Sequence, residues 1–174
     1  VRKTLTTISE LSAEGLAELK GFMQSLDSRE ITWQALATEL RVGGRTLVEP
    51  HGFGFTMSAS LDGVEGQPAS LLWLNLLRVY KETLTNVVKH SRGKNVSVDL
   101  AVTSGRLSLV VRDDGAGLPA PAPRGRGHAN LQKRAEEVGG SVTLTSEGGA
   151  VMRFEVPLPV QYTVPGDLPG GPQA

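Results

Sequence analysis

The chain has 174 residues with 18 basic and 18 acidic side chains, a formal net charge of zero, which is one ordinary domain plus some extra material. That balance excludes a global field for nucleic acid or an anionic membrane, so any charged ligand must be held locally. There is no cysteine, which excludes disulfides, thiolate zinc sites and a cysteine nucleophile and agrees with a reducing compartment.

Taken in chain order, residues 8–27 space Ile8, Leu11, Leu16, Leu19, Phe22, Met23 and Leu26 as a helix does, with Gly15 weakening it slightly. "ITWQALATELRVGG" predicts a second, shorter helix closed by the pair Gly43-Gly44. "GFGFTMSASLDG" alternates Phe53, Phe55, Met57, Ala59 and Leu61 on one face, which is strand periodicity, and "VEGQPAS" is a turn. A long helix then runs from about Pro68 to Ser91. At about 100° per residue, Trp73, Leu76, Leu77, Tyr80, Leu84, Val87 and Val88 fall in one arc, and Arg78, Glu82, Thr85, Asn86, Lys89 and His90 in the opposite one. Its apolar run, "ASLLWLNLLRVY", is too short to span a bilayer, and no segment reads as a signal peptide.

"KNVSVDLAVT" and "RLSLVVRDD" are alternating strands joined by "SG", a hairpin; the sequon at Asn95 lies within the first of them and is read as chance. "DGAGLPAPAPRGRGHAN" is a loop, "NLQKRAEEVGG" a helix ended by two glycines, and "SVTLTSEG" with "AVMRFEVPLP" a hairpin across Gly148-Gly149. Residues 161–174 are Gly/Pro-rich and expected to be disordered. Two strand pairs have no helix between them, so a doubly wound parallel sheet does not fit. The expected fold is α+β, a two-layer sandwich with a mixed, mostly antiparallel sheet and the helices on one face, preceded by an N-terminal helix.

Three stretches carry chemistry. In "KETLTNVVKH", Glu82, Asn86 and His90 follow one another at four-residue steps on the polar arc; alone, such a row is also what a solvated outer face looks like. In "RDDGAGLP", Asp113 leaves a strand end beside Gly115 and Gly117, a carboxylate over an open floor that suits an exocyclic amine such as N6 of adenine, or simply a tight turn. In "GRGHANLQKR", Gly125 and Gly127 stand immediately before a helix, flanked by Arg124 and Arg126, which makes an anion site or else a linker capped by Asn130. No Walker sequence exists. Together the row gains meaning: the Asn86 amide oxygen suits Mg²⁺, Glu82 can orient or deprotonate a ligand, and Lys89 and His90 can meet phosphate charge.

"ETLTNVVKH", "DDGAG" and "GRGHANLQKRAEEVGG" resemble the N, G1 and G2 boxes of the ATP-binding catalytic domain of sensor histidine kinases, in the superfamily that includes DNA gyrase, Hsp90 and MutL. The nearer likeness is to the nitrate- and membrane-fluidity-sensing kinases. The resemblance covers about residues 30–160 and implies the Bergerat form of the sandwich. It implies Mg²⁺ on Asn86, Glu82 as candidate base, the adenine amine on Asp113 beside Gly115 and Gly117, and Lys89 and His90 near the phosphates. Gly125, Gly127 and His128 would border the nucleotide in a lid over roughly residues 118–127. His128 replaces a usual leucine, and Ala150 a common threonine.

The implied organisation is a partial dimerisation and phosphotransfer helix over 1–28, the ATP-binding domain over 29–160 and the tail over 161–174. The three histidines, His51, His90 and His128, are not followed by an acidic residue as the family's phosphorylated histidine is, so the acceptor is expected on an upstream helix absent from this chain. The chain opens on Val1 and is expected to be part of something longer. The implied partners are the receiver domain of a response regulator and, in the full-length protein, a second copy joined through the upstream hairpin, with no nucleic acid and no membrane contact, in the cytoplasm. Two other readings stand beside this one: a serine kinase of the anti-sigma-factor type, and a degenerate module that binds a partner and no nucleotide.

Overall fold

The computed structural model describes residues 32–62, 64, 66–118 and 126–159. The helix predicted over 8–27, most of the expected lid and the tail lie outside the described residues.

Helix α1 spans Trp33–Val48, with Thr32 as its N-cap: the Thr32 hydroxyl accepts from the Ala35 N–H at 3.1 Å. The stop expected at Gly43-Gly44 is not there. The helix runs through both glycines and ends at a 3-10 turn, Glu49–His51, closed by Gly52 at φ 83. Gly44 is in the helix for a packing reason. A Cβ there would stand 2.6 Å from the Phe55 ring and closer still to the Tyr80 hydroxyl. His51 is exposed.

Next come β1 (Gly54–Leu61), α2 (Ser70–His90), β2 (Asn95–Thr103), β3 (Arg106–Asp113), α3 (Arg126–Glu136), β4 (Ser141–Ser146) and β5 (Ala150–Pro157). The five strands lie in the order β1-β2-β3-β5-β4. β1 and β2 run parallel, Gly54 opposite Asn95 through Leu61 opposite Val102, because α2 carries the chain back between them. The other three pairings are antiparallel, and both expected hairpins form, β2 with β3 and β4 with β5. The mixed, mostly antiparallel sheet is the one the sequence predicts.

The core lies on one face of the sheet. Val96, Val98, Leu100 and Val102 from β2, Leu107, Leu109 and Val111 from β3, and Met152, Phe154 and Val156 from β5 are buried with Leu36 and Leu40 of α1, Leu76 and Leu84 of α2, and Leu131 of α3. The other face carries polar cross-strand pairs. Arg112 meets Asp99 at 2.5 Å, Ser58 donates to the same carboxylate at 2.7 Å, and Arg106 pairs with Glu155. Partly exposed pairs of this kind contribute about 0–1 kcal/mol each.

The buried stripe of α2 is Leu72, Asn75, Leu76, Val79, Tyr80, Thr83, Leu84 and Val87. It is turned from the predicted arc, leaving Trp73, Leu77 and Val88 half-buried. Two polar residues are thereby inside. Thr83 bonds back to the Val79 carbonyl at 2.8 Å, whereas Asn75, at 0% exposure, has no hydrogen-bond partner for either amide atom. The Tyr80 hydroxyl donates to the Leu40 carbonyl at 2.9 Å, tying α2 to α1.

Candidate functional site

Glu82 and Asn86 stand one turn apart on α2 and are half-buried, not solvated as an outer face would be. What covers them is the first turn of α3. A Cβ on Gly127 would lie 2.9 Å from Glu82 Oε1 and 3.8 Å from Asn86 Nδ2, so the glycine lets the α3 backbone approach the row. This corrects the expected helix start: α3 begins at Arg126, Gly127 belongs to its first turn, and Asn130 lies inside it rather than capping it. Gly125 lies outside the described residues. His128 follows Gly127 half-buried, its Nδ1 enclosed without a hydrogen-bond partner. Lys89 and His90 are exposed in the last turn of α2, at the negative end of the helix dipole, where a cation is favoured.

Asp113 is the final residue of β3 and is buried. Its Oδ1 accepts from the Ser91 hydroxyl at 2.7 Å, the Gly115 N–H at 2.8 Å and the Ala150 N–H at 3.4 Å. Glycine is needed around it for close approach. A Cβ on Gly115 would collide with the Ser91 carbonyl, and one on Gly149 with the carbonyl of Asp113 itself. Gly117 takes φ 74, and the next residue, Leu118, donates its N–H to Ser146 Oγ at 2.8 Å, which pins the glycine loop to the end of β4.

Two residues here were not singled out from the sequence. Ser91 is one; its signal would have been a hydroxyl residue directly after the α2 row. Asp114 is the other, and its work is structural. It accepts from the Lys94 N–H at 2.7 Å, the Asn95 N–H at 2.8 Å and the Asn95 side-chain amide at 2.7 Å. These hydrogen bonds, led by the Asn95 backbone, lower its pKa from 3.8 to about 2.

Among the described residues no group of three or more His, Asp or Glu is placed to hold a metal ion. A protein-only cage is therefore not what the row offers. The donor set of one amide oxygen and one nearby carboxylate fits Mg²⁺, which takes one or two protein oxygens and completes its shell with water and phosphate. There are two surface grooves of about 350 Å³: one beside Gly105, Gly140 and Glu155, the other across the neighbouring ends of β1, β2 and β3 beside Thr56, Ser97 and Arg112, where it touches Asp113. Neither is lined by Glu82 or Asn86.

In this helix-covered mixed sheet, a carboxylate at a strand end packs among glycines and against Ser91 at the end of the Asn86-bearing helix. Residues 73–160 match the family described as histidine kinase-, DNA gyrase B-, and HSP90-like ATPase, and the chain belongs to that family. Among curated proteins, it is 41% identical over 87 residues to the sensor histidine kinase LnrJ of Bacillus subtilis, covering 48% of this chain and 22% of that one. It is 36% identical over 90 residues to the signal transduction histidine-protein kinase/phosphatase UhpB of Salmonella typhimurium, 51% of this chain and 18% of that one. The matched segments thus span about a fifth of these relatives. A solved structure of the Erythrobacter litoralis EL346 blue-light activated histidine kinase superposes with a TM-score of 0.66 at 23% identity, covering 88% of this chain and 50% of that one. The catalytic domain of the histidine kinase ThkA does so with 0.59 at 16%, covering 72% and 93%. At these identities the structures speak for the fold.

Proposed function

We propose that this chain is the ATP-binding catalytic part of a sensor histidine kinase, which passes the γ-phosphate of ATP to a histidine on an upstream helix for relay to a response regulator. The observation that carries this reading is the approach of Gly127 to Glu82 and Asn86, which puts the N-terminus of α3 against the polar row of α2. The two sides complement each other. The first-turn N–H groups and dipole of a helix favour phosphate oxygens, while the Asn86 side chain carries an amide oxygen of the kind Mg²⁺ takes. Bound Mg²⁺ would neutralise phosphate charge as the γ-phosphoryl group leaves.

The roles are those that the resemblance implies. Asp113 holds the adenine amine with Gly115 and Gly117 alongside, and Asn86 holds the metal. Lys89 and His90 lie at the exposed end of the row, where phosphate charge can be met. Glu82 orients or deprotonates the group that attacks. Gly125, Gly127 and His128 border the phosphates. Phosphoryl transfer asks mainly for positioning and charge stabilisation, and these residues supply both.

None of His51, His90 and His128 lies on a helix upstream of the domain, so the acceptor belongs to a part of the protein that this chain does not include. The finer placement beside nitrate- and fluidity-sensing kinases rests on the wording of "NLQKRAEEVGG". The expected partners are a receiver domain and a second copy in the full-length protein, and a site that consumes ATP belongs in the cytoplasm.

The test is calorimetric binding of ATP with and without Mg²⁺. Asp113→Asn loses a hydrogen bond to a charged group, about 1.5–3 kcal/mol, and should weaken binding roughly ten- to hundredfold. Asn86→Ala should chiefly remove the Mg²⁺ dependence. No binding at millimolar ATP by the unmutated chain would refute the reading.

A further inference from the structure

Ser91 directly follows α2, its N–H bonding to the Val87 carbonyl at 2.9 Å, and it is buried. Every polar group it owns is committed. The hydroxyl donates to Asp113 Oδ1 at 2.7 Å and accepts from the Gly93 N–H at 3.1 Å, and the carbonyl accepts from the Ala116 N–H at 2.8 Å. The Asp113 carboxylate is correspondingly lopsided. Oδ1 takes all three hydrogen bonds, from Ser91, Gly115 and Ala150. Oδ2 takes none from any described residue.

We propose that Ser91 is a positioning residue that sets the base specificity of the nucleotide site. The inference rests on the ATP-binding reading above. The carboxylate torsion of an aspartate is broad and two-fold, so nothing intrinsic to Asp113 fixes which oxygen faces the ligand. A serine hydroxyl can donate or accept. Here its acceptor side is taken by the Gly93 N–H, which turns its proton toward Oδ1. With Oδ1 held by three donors, Asp113 presents Oδ2 as a pure acceptor. The ligand group there must be a donor, as the exocyclic amine of adenine is. A purine with a carbonyl at C6 sets acceptor against acceptor and leaves a buried polar group unpaired, which is the strongest form of discrimination a binding site has.

Removing the hydroxyl leaves Oδ1 only two backbone donors, one of them long. The carboxylate then regains its torsional freedom, and its outward oxygen no longer stays aimed at an exocyclic amine, so the hydrogen bond that favours adenine weakens. The base preference should fall while the phosphate end is untouched. Ser91 also anchors the end of α2, so a purely structural role would lower affinity for every nucleotide alike. The two roles separate in the ratio.

The experiment measures the affinities of ATP and inosine triphosphate, both with Mg²⁺, for the 174-residue chain and for Ser91→Ala, Ser91→Thr and Ser91→Cys. The unmutated chain is expected to prefer ATP strongly. Ser91→Ala should lose about tenfold of that ratio with the Mg²⁺ dependence of ATP binding unchanged, and Ser91→Thr should restore it. If Ser91→Ala does not fold, Ser91→Cys, which fills similar space with a weaker donor, should show the same fall in smaller measure. A ratio equal to that of the unmutated chain in Ser91→Ala, or in Ser91→Cys if Ser91→Ala does not fold, would overturn the proposal. An unmutated chain that bound neither nucleotide would instead remove the ATP-binding reading, and this inference with it.

Discussion

Gly43 and Gly44 are adjacent in one helix, yet alanine should act on them with opposite sign. Replacing a helix-interior glycine by alanine gains about 0.8–1.0 kcal/mol of helix propensity. Gly43 is exposed and an added Cβ would meet nothing within 4 Å, so that gain should stand alone. The midpoint should rise by the equivalent of about 1 kcal/mol, or about 2–4 °C in Tm. At Gly44 the same gain is opposed by a Cβ only 2.6 Å from the Phe55 ring and nearer still to the Tyr80 hydroxyl. Overpacking of this kind costs about 1–3 kcal/mol, and displacing the Tyr80 ring also endangers its hydrogen bond to Leu40, about 1 kcal/mol more. The cost exceeds the gain, and Gly44→Ala should lose about 1–3 kcal/mol net. Denaturant unfolding followed by the fluorescence of Trp33, buried in α1, and Trp73, half-buried in α2, reads both variants in one assay. A Gly44→Ala midpoint raised as far as that of Gly43→Ala would refute the packing account of this glycine.

Asn75→Leu should stabilise the chain by about 1–2 kcal/mol, since it replaces a fully buried amide lacking partners by an apolar group of similar shape; a lowered Tm would count against this. Asp114 has its folded-state pKa held near 2, below the ordinary 3.8, so its contribution to stability is present above pH 3.8 and is lost as the pH falls toward 2. Urea midpoints across that window should fall less steeply in Asp114→Asn, and parallel curves would contradict the assignment. Gly127→Ala puts a Cβ 2.9 Å from Glu82 Oε1, the far end of a flexible side chain, so Tm should hold while Mg²⁺-dependent ATP binding weakens severalfold; unchanged binding would remove this glycine from the cleft.

The fold was readable where periodicity is strong. The alternation in β2, β3 and β5 and the length of α2 both follow from which side chains face the core. Local rules failed where a distant contact decided the matter. A glycine pair stops most helices, but Gly44 is required inside α1 by Tyr80 and Phe55, from other elements. The buried stripe of α2 includes Asn75 and Thr83, which a hydropathy pattern assigns outward. Glu82, Asn86 and Asp113 stand out in the sequence because each carries a functional group with obvious chemistry, the first two at helical spacing. Ser91 does not, because its part depends on Asp113, 22 residues on, folding back onto it. The start of α3 was misplaced for a related reason: Gly127 reads as a breaker by itself, but in the fold it is the point where two helices come close.

The parallel pairing of β1 with β2 makes α2 the crossing between two neighbouring strands. The helix is spliced at both ends into adjacent members of one ladder, and it is bolted to α1 through Tyr80 and to the end of β3 through Ser91. It has no free end on which to swing. The helix face that bears Glu82 and Asn86 is therefore expected to keep its place when a ligand binds. On the ATP-binding reading proposed above, widening to admit a nucleotide is expected from the α3 side. Slow amide exchange along α2 with and without nucleotide, against ligand-dependent exchange in the first turn of α3, is the signature such a hinge-less wall would leave.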